Sequence, residues 1–248
     1  EDEIIQELLD YSQPVTTYNI EAAMLMSVDK NELFGKLISK DKDSNGSDDI
    51  IDLSDSFIEG LEDKDSGYEL YNEIIKSASK ALDEQVYNPS TSYIDIKAAQ
   101  GMYKELSLLG GLSREENYQV PMEIDGEVTN VNLKIFHNKS KAGKVAVTLE
   151  NESLGKIAAE FNVDNDKITG MVACENKEAL AALNNISDTL TEAFEDKKVN
   201  LSLVESKSIN LDMFGADRDK DSTEVSTSEL YKTAKVFLKS LNKIGEDS

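Results

Sequence analysis

The 248-residue chain carries 49 acidic against 26 basic side chains, a formal net charge of −23, with 39% hydrophobic residues, 6% aromatic residues and no Trp. Such a field repels phosphate backbones and anionic lipid surfaces, which argues against nucleic-acid binding, and no apolar run approaches the ~20 residues of a bilayer span, which argues against membrane insertion. Its one cysteine, Cys174, excludes an internal disulfide and fits a reducing cytoplasm. The chain begins at Glu1 rather than Met, so a targeting segment is not assessable from it. The acidity is uneven: residues 1–116 hold 26 acids and 10 bases, residues 117–248 hold 23 and 16. A basic protein partner or a divalent cation is compatible with that charge.

Residues 1–112 read as a helical domain. "EDEIIQELLDYS" sets Ile4, Ile5, Leu8 and Leu9 on one face, and Pro14 ends that helix. Thr17 or Asn19 is placed to cap a second helix carrying Ile20, Ala23 and Met24. "KNELFGKLISK" predicts a third through Leu33, Phe34, Leu37 and Ile38. Leu53, Phe57, Ile58 and Leu61 form the next apolar stripe, and Tyr68, Tyr71, Ile74, Ala78 and Leu82 the one after. The tyrosines read as core-edge residues. Ile94, Ala98, Met102, Leu106 and Leu109 predict a last helix, which Gly110–Gly111 is expected to stop.

Near Tyr118 the period changes to two. Val120, Met122 and Ile124 alternate, then Val131, Leu133 and Ile135, with Asp125–Gly126 as a hairpin signal between them. "KVAVTLE", "GKIAAEFNV" and "KITGMVACE" predict further strands, the last two joined at Asp164–Asn165–Asp166. Leu180, Leu183, Ile186, Leu190 and Phe194 then recur at helical spacing, which predicts one long helix, and "VNLSLVE" closes the sheet. A polar stretch leads to a final amphipathic helix, "TSELYKTAKVFLKSL".

One acidic segment has metal-ligand spacing. In "DKDSNGSDDIID", Asp41, Asp43, Asn45, Ser47, Asp49 and Asp52 fall at positions 1, 3, 5, 7, 9 and 12 of an EF-hand loop, with Gly46 at the turn. Two residues depart from that pattern. Position 8, usually apolar, is Asp48, and position 12 is Asp52, whose arm is shorter than that of Glu. Asp217, Asp219 and Asp221 form a second acidic cluster, without the Gly. The competing reading of all of these is a solvated acidic connector.

Other chemistry is sparse. His137 is the only histidine, at the end of a strand, and a triad or zinc site needs more partners than one His and one Cys supply. Cys174 reads as a buried spacer. No Gly-rich phosphate loop is present, and aromatic platforms for sugar stacking are few.

The stretch from Val145 to Val204 resembles the C-terminal domain of flagellar hook-length control proteins. Val147 and Leu149 stand for the family's paired apolar positions, Leu154–Gly155 for its L-G, and Leu180, Leu183 and Leu190 for its spaced helix leucines. Asn151 stands where the family carries Pro. The phrases "PVTTYNIEAAMLM", "YQVPMEIDGEVTNVNL" and "SELYKTAKVFL" are similar to those of clostridial proteins with the same domain. The resemblance implies a non-enzymatic switch. Its partner would be the cytoplasmic domain of the flagellar export gate, and its place the cytoplasm or, by export, the flagellar apparatus. Leu154 and Gly155 are then candidate partner-binding positions, against a structural reading of Leu in the core and Gly at a bend. The family's Pro-rich ruler segment has no counterpart in a chain with three prolines.

The expected architecture is α+β. A helical domain spans 1–112, an antiparallel sheet packed by one long helix spans 117–210, and an acidic linker with a C-terminal helix spans 211–248. The expected function is protein binding in flagellar type III export, without catalysis or a cofactor. The alternatives are a calcium-stabilised binding module, a structural domain protein and an enzyme of unrecognised type.

Overall fold

The computed structural model describes residues 2–28, 32–38, 45–87, 96–137, 142–209 and 227–244. Six helices come first: α1 (Asp2–Asp10), α2 (Thr17–Val28), α3 (Glu32–Ile38), α4 (Asn45–Gly60), α5 (Lys64–Tyr87) and α6 (Ile96–Leu112). Thr16 caps α2, one residue earlier than expected, its hydroxyl accepting from the Asn19 N–H at 3.2 Å. α5 opens with a reciprocal pair: the Asp63 carboxylate accepts from the Ser66 N–H at 2.8 Å, and the Ser66 hydroxyl accepts from the Asp63 N–H at 3.0 Å.

Gly110–Gly111 does not stop α6, contrary to the sequence expectation. The helix runs through both glycines to Leu112, then tightens into a 3₁₀ turn at Ser113–Glu115. The stop is Glu116, a left-handed residue at φ 56° whose N–H returns to the Ser113 carbonyl. A Cβ at Gly111 would meet only the flexible end of the Gln13 side chain at the α1–α2 corner, and one at Gly110 would meet nothing within 4 Å. Glycine lowers helix propensity by only ~1 kcal/mol, which tertiary packing overrides.

The sheet has six strands in sequence order: β1 (Asn117–Ile124), β2 (Glu127–His137), β3 (Ala142–Asn151), β4 (Gly155–Asp164), β5 (Lys167–Cys174) and β6 (Lys198–Glu205). Asp125 and Gly126, at φ 53° and 75°, make the tight β1–β2 turn their sequence predicts. The pairs from β1 to β5 are antiparallel, but β5 and β6 run parallel, so the sheet is mixed. The cause is the connection. The segment after Cys174 crosses the sheet through helices and re-enters beside the start of β5, as parallel pairing requires. That crossover is also not one helix. It breaks into α7 (Lys177–Ala182) and α8 (Ile186–Ala193) at Leu183–Asn185. Asn184–Asn185 favour a turn over helix interior, and the apolar spacing alone does not reveal the break.

Alternation builds one apolar face. Val120 and Met122 pair across to Val131 and Thr129, Val145 and Val147 to Phe161 and Ala159, and these to Gly170 and Val172. The final helix, α9 (Thr227–Asn242), lies across this face with Tyr231, Phe237 and Leu241 fully buried, and the Phe237 ring meets Phe161 edge-on at 5.1 Å. Beside it Phe57 of α4, Tyr71 of α5 and Tyr118 of β1 pack as mutually tilted rings 5.2–5.9 Å apart. The core is therefore continuous between the helical half and the sheet.

Candidate functional site

The β3–β4 turn, which holds the Leu-Gly pair, is built by the side chain of Asn151. This residue is 3% exposed. Its amide oxygen accepts from the N–H groups of Ser153 and Leu154 at 2.9 and 3.0 Å, and its amide nitrogen donates to the Thr129 hydroxyl at 2.8 Å and the Ile124 carbonyl at 3.3 Å. An Asx turn thus stands where a proline would otherwise rigidify the chain. Leu154 is buried in the core and Gly155 sits at φ 67°. A Cβ at Gly155 would come within 2.8 Å of the Glu175 carboxylate, which accepts from the Lys156 N–H at 2.9 Å. Leu154 therefore faces inward and Gly155 permits the bend, while the neighbouring Glu152 and Ser153 are exposed.

The corner ties three chain segments together. Glu127 of β2 accepts from the Glu152 N–H at 3.0 Å, and Asp125 accepts from the Ser153 hydroxyl at 2.7 Å. Asn176, the cap of α7, donates to the Ser153 carbonyl at 3.3 Å. Asp125, Glu127, Glu152 and Glu175 thus form an acidic rim, with Lys156 the basic residue beside it. The sequence marks Leu154, Gly155 and the Asn151 position, but neither the turn-building role of Asn151 nor Glu175. The signal for Asn151 is an Asn opening a short turn four residues before a glycine; Glu175 lies in a different strand connection, and only the fold brings it near.

A second polar group lies where α9 docks. The Glu116 carboxylate is buried between His137, whose Nε2 stands 2.7 Å away, and Tyr231, whose hydroxyl donates to it. Burial first, and the Glu116 charge second, push the Tyr231 hydroxyl above the ordinary tyrosine range. His137 is thus partnered by one carboxylate and part-buried. Cys174 is buried and unpaired, and burial raises its thiol to about 11, which keeps it a protonated, unreactive thiol at neutral pH.

Of the calcium-loop residues, Asn45, Ser47, Asp49 and Asp52 lie in the first turns of α4, and Asp41 and Asp43 lie outside the described residues. So do Asp217, Asp219 and Asp221 and most of the acidic linker. Among the described residues no three His, Cys, Asp or Glu side chains are placed to hold a metal ion. No helix among them is long and apolar enough to cross a membrane.

The polar groups of this region are mostly bonded to one another, and the sheet presents a tied acidic corner. The architecture is α+β. The family model for the flagellar hook-length control protein FliK matches residues 132–210, from within β2 past the end of β6, about a third of the chain. The resemblance read over Val145–Val204 thus extends to most of the sheet and its crossover. No curated protein and no solved structure matches the chain.

Proposed function

We propose that this chain is a non-enzymatic, protein-binding regulator of flagellar type III export, acting in the cytoplasm on the cytoplasmic domain of the export gate. The match to the hook-length control family over 132–210 carries this reading. The charge supports it: a chain of −23 attracts a basic partner and steers its approach. The acidic corner at Asp125, Glu127 and Glu152 is the surface proposed for contact, because Leu154 beneath it is buried and reaches a partner only through the turn it anchors. The helical half supplies a rigid backing, through the shared core, for a sheet that would otherwise stand with one end unpacked.

Calorimetric titration with the purified cytoplasmic domain of the export gate tests the reading. Binding is expected to weaken about tenfold in Glu152→Lys, an exposed position away from the core, and to weaken with added salt. Absence of heat and of complex at tens of micromolar would remove the gate as partner.

A further inference from the structure

β6 closes one side of the sheet and pairs only with β5. The Lys198 N–H goes to the Asp166 carbonyl and the Ser206 N–H to Cys174. In a parallel ladder the backbone groups of the even-numbered residues between them therefore face β5. Those of Val199, Leu201 and Leu203 point off the edge, and no backbone group among the described residues meets them there. Exposed edges are ordinarily guarded by a charge, a proline or a bulge. Residues 199–204 of β6 include no charge and no proline, and their register with β5 is unbroken.

We propose that this edge pairs antiparallel with β6 of a second copy about a two-fold axis at Leu201, joining two sheets into one. Such an axis stands perpendicular to the sheet and keeps like faces together. Leu201 then meets its own symmetry mate, and Val199 meets Leu203 of the partner subunit, on the apolar face where all three are half-buried in one chain. Asn200 meets Ser202 of the partner subunit on the other face. Odd positions meet odd positions, so outward N–H and C=O groups oppose their complements. The strand is also polar along its length, with the exposed Lys198 at its start and the exposed Glu205 at its end, while Lys197 before it is buried and held by Glu229. Antiparallel pairing sets each basic end beside an acidic end, where a parallel partner would set like beside like. A foreign peptide would have to bring this alternation and polarity; a second copy carries both already. The pairing does not depend on the flagellar reading.

Sedimentation equilibrium on the full chain is the test, in about 0.5 M NaCl so that the mutual repulsion of two acidic chains is screened. The expected mass is twice 27.4 kDa at high loading, falling towards 27.4 kDa on dilution and in low salt. Leu201→Pro is expected to abolish the dimer, because the Leu201 N–H takes no part in the β5 ladder and proline is tolerated at such an edge. Glu205→Lys, at an exposed position, is expected to weaken association about tenfold, with a circular dichroism melt like that of the parent showing the fold intact. A single 27.4 kDa species up to about 100 µM would overturn the proposal, and so would a dimer equally tight in both variants. A monomer whose Val199–Leu203 amides resist hydrogen exchange would show another segment of the same chain on the edge, and would equally overturn it.

Discussion

Two buried asparagines illustrate opposite uses of one side chain. Asn151 spends its amide on five bonds that define the β3–β4 turn. Asn151→Ala strands the Leu154 N–H and the Ile124 carbonyl, and unsatisfied buried groups cost about 1–3 kcal/mol each. The variant is expected to lose about 2–3 kcal/mol in urea unfolding, with the largest change in amide exchange at Glu152–Gly155. A loss below about 0.5 kcal/mol would show the turn to be held by other contacts. Asn130 is the contrary case. It is 1% exposed on β2, and neither amide atom has a hydrogen-bond partner. Replacing such a group with an apolar β-former removes an uncompensated desolvation, so Asn130→Val is expected to raise stability by about 1 kcal/mol. A lower melting temperature would mean that the amide is satisfied in solution.

At the scale of elements, legibility followed periodicity. The six early helices, the Asp125–Gly126 hairpin and the alternating strands could be read because each has a local pattern of period 3.6 or 2. What escaped was set by distant contacts. The run through Gly110–Gly111 goes with the burial of Leu108, Leu109 and Leu112 in the shared core, and the parallel entry of β6 depends on where a crossover lands. The acidic segment at Asp41–Asp52 is a separate case: its spacing fits a loop, and the chain is helical from Asn45. Ligands converge on an EF-hand ion because the backbone wraps round it; on a helix, side chains radiate from an axis instead. Titration with calcium is therefore expected to give no heat and to leave the melting temperature unchanged, and a rise of several degrees at millimolar calcium would establish the site after all.

At the scale of the whole molecule, the helical half and the sheet meet through tyrosines. Tyr71, Tyr118 and Tyr231 are all fully buried, and burial pushes each hydroxyl above its ordinary value of 10.0. The Tyr71 hydroxyl donates to the Gln119 carbonyl at 2.9 Å, locking α5 to β1, and that of Tyr231 donates to Glu116, locking α9 to the start of the same strand. A raised folded-state pKa on a group that ionises to an anion has a definite sign. Its stabilisation is complete below the unfolded value and is lost as pH rises from there towards the folded value. Cys174, raised from 9.0 to about 11, adds the same tendency slightly earlier. The urea midpoint is therefore expected to be insensitive to these four groups below pH ~9 and to fall steeply above pH ~10. The three hydroxyls sit between different layers, so α5, α9 and the sheet should release together. Far-ultraviolet circular dichroism and the absorbance of these three of the nine tyrosines would then change in one transition. Ionisation of these three rings, read as the absorbance lost in Tyr→Phe variants of each, with the helical signal intact would mean that they ionise without unfolding, and the shared core would not be what couples the two halves.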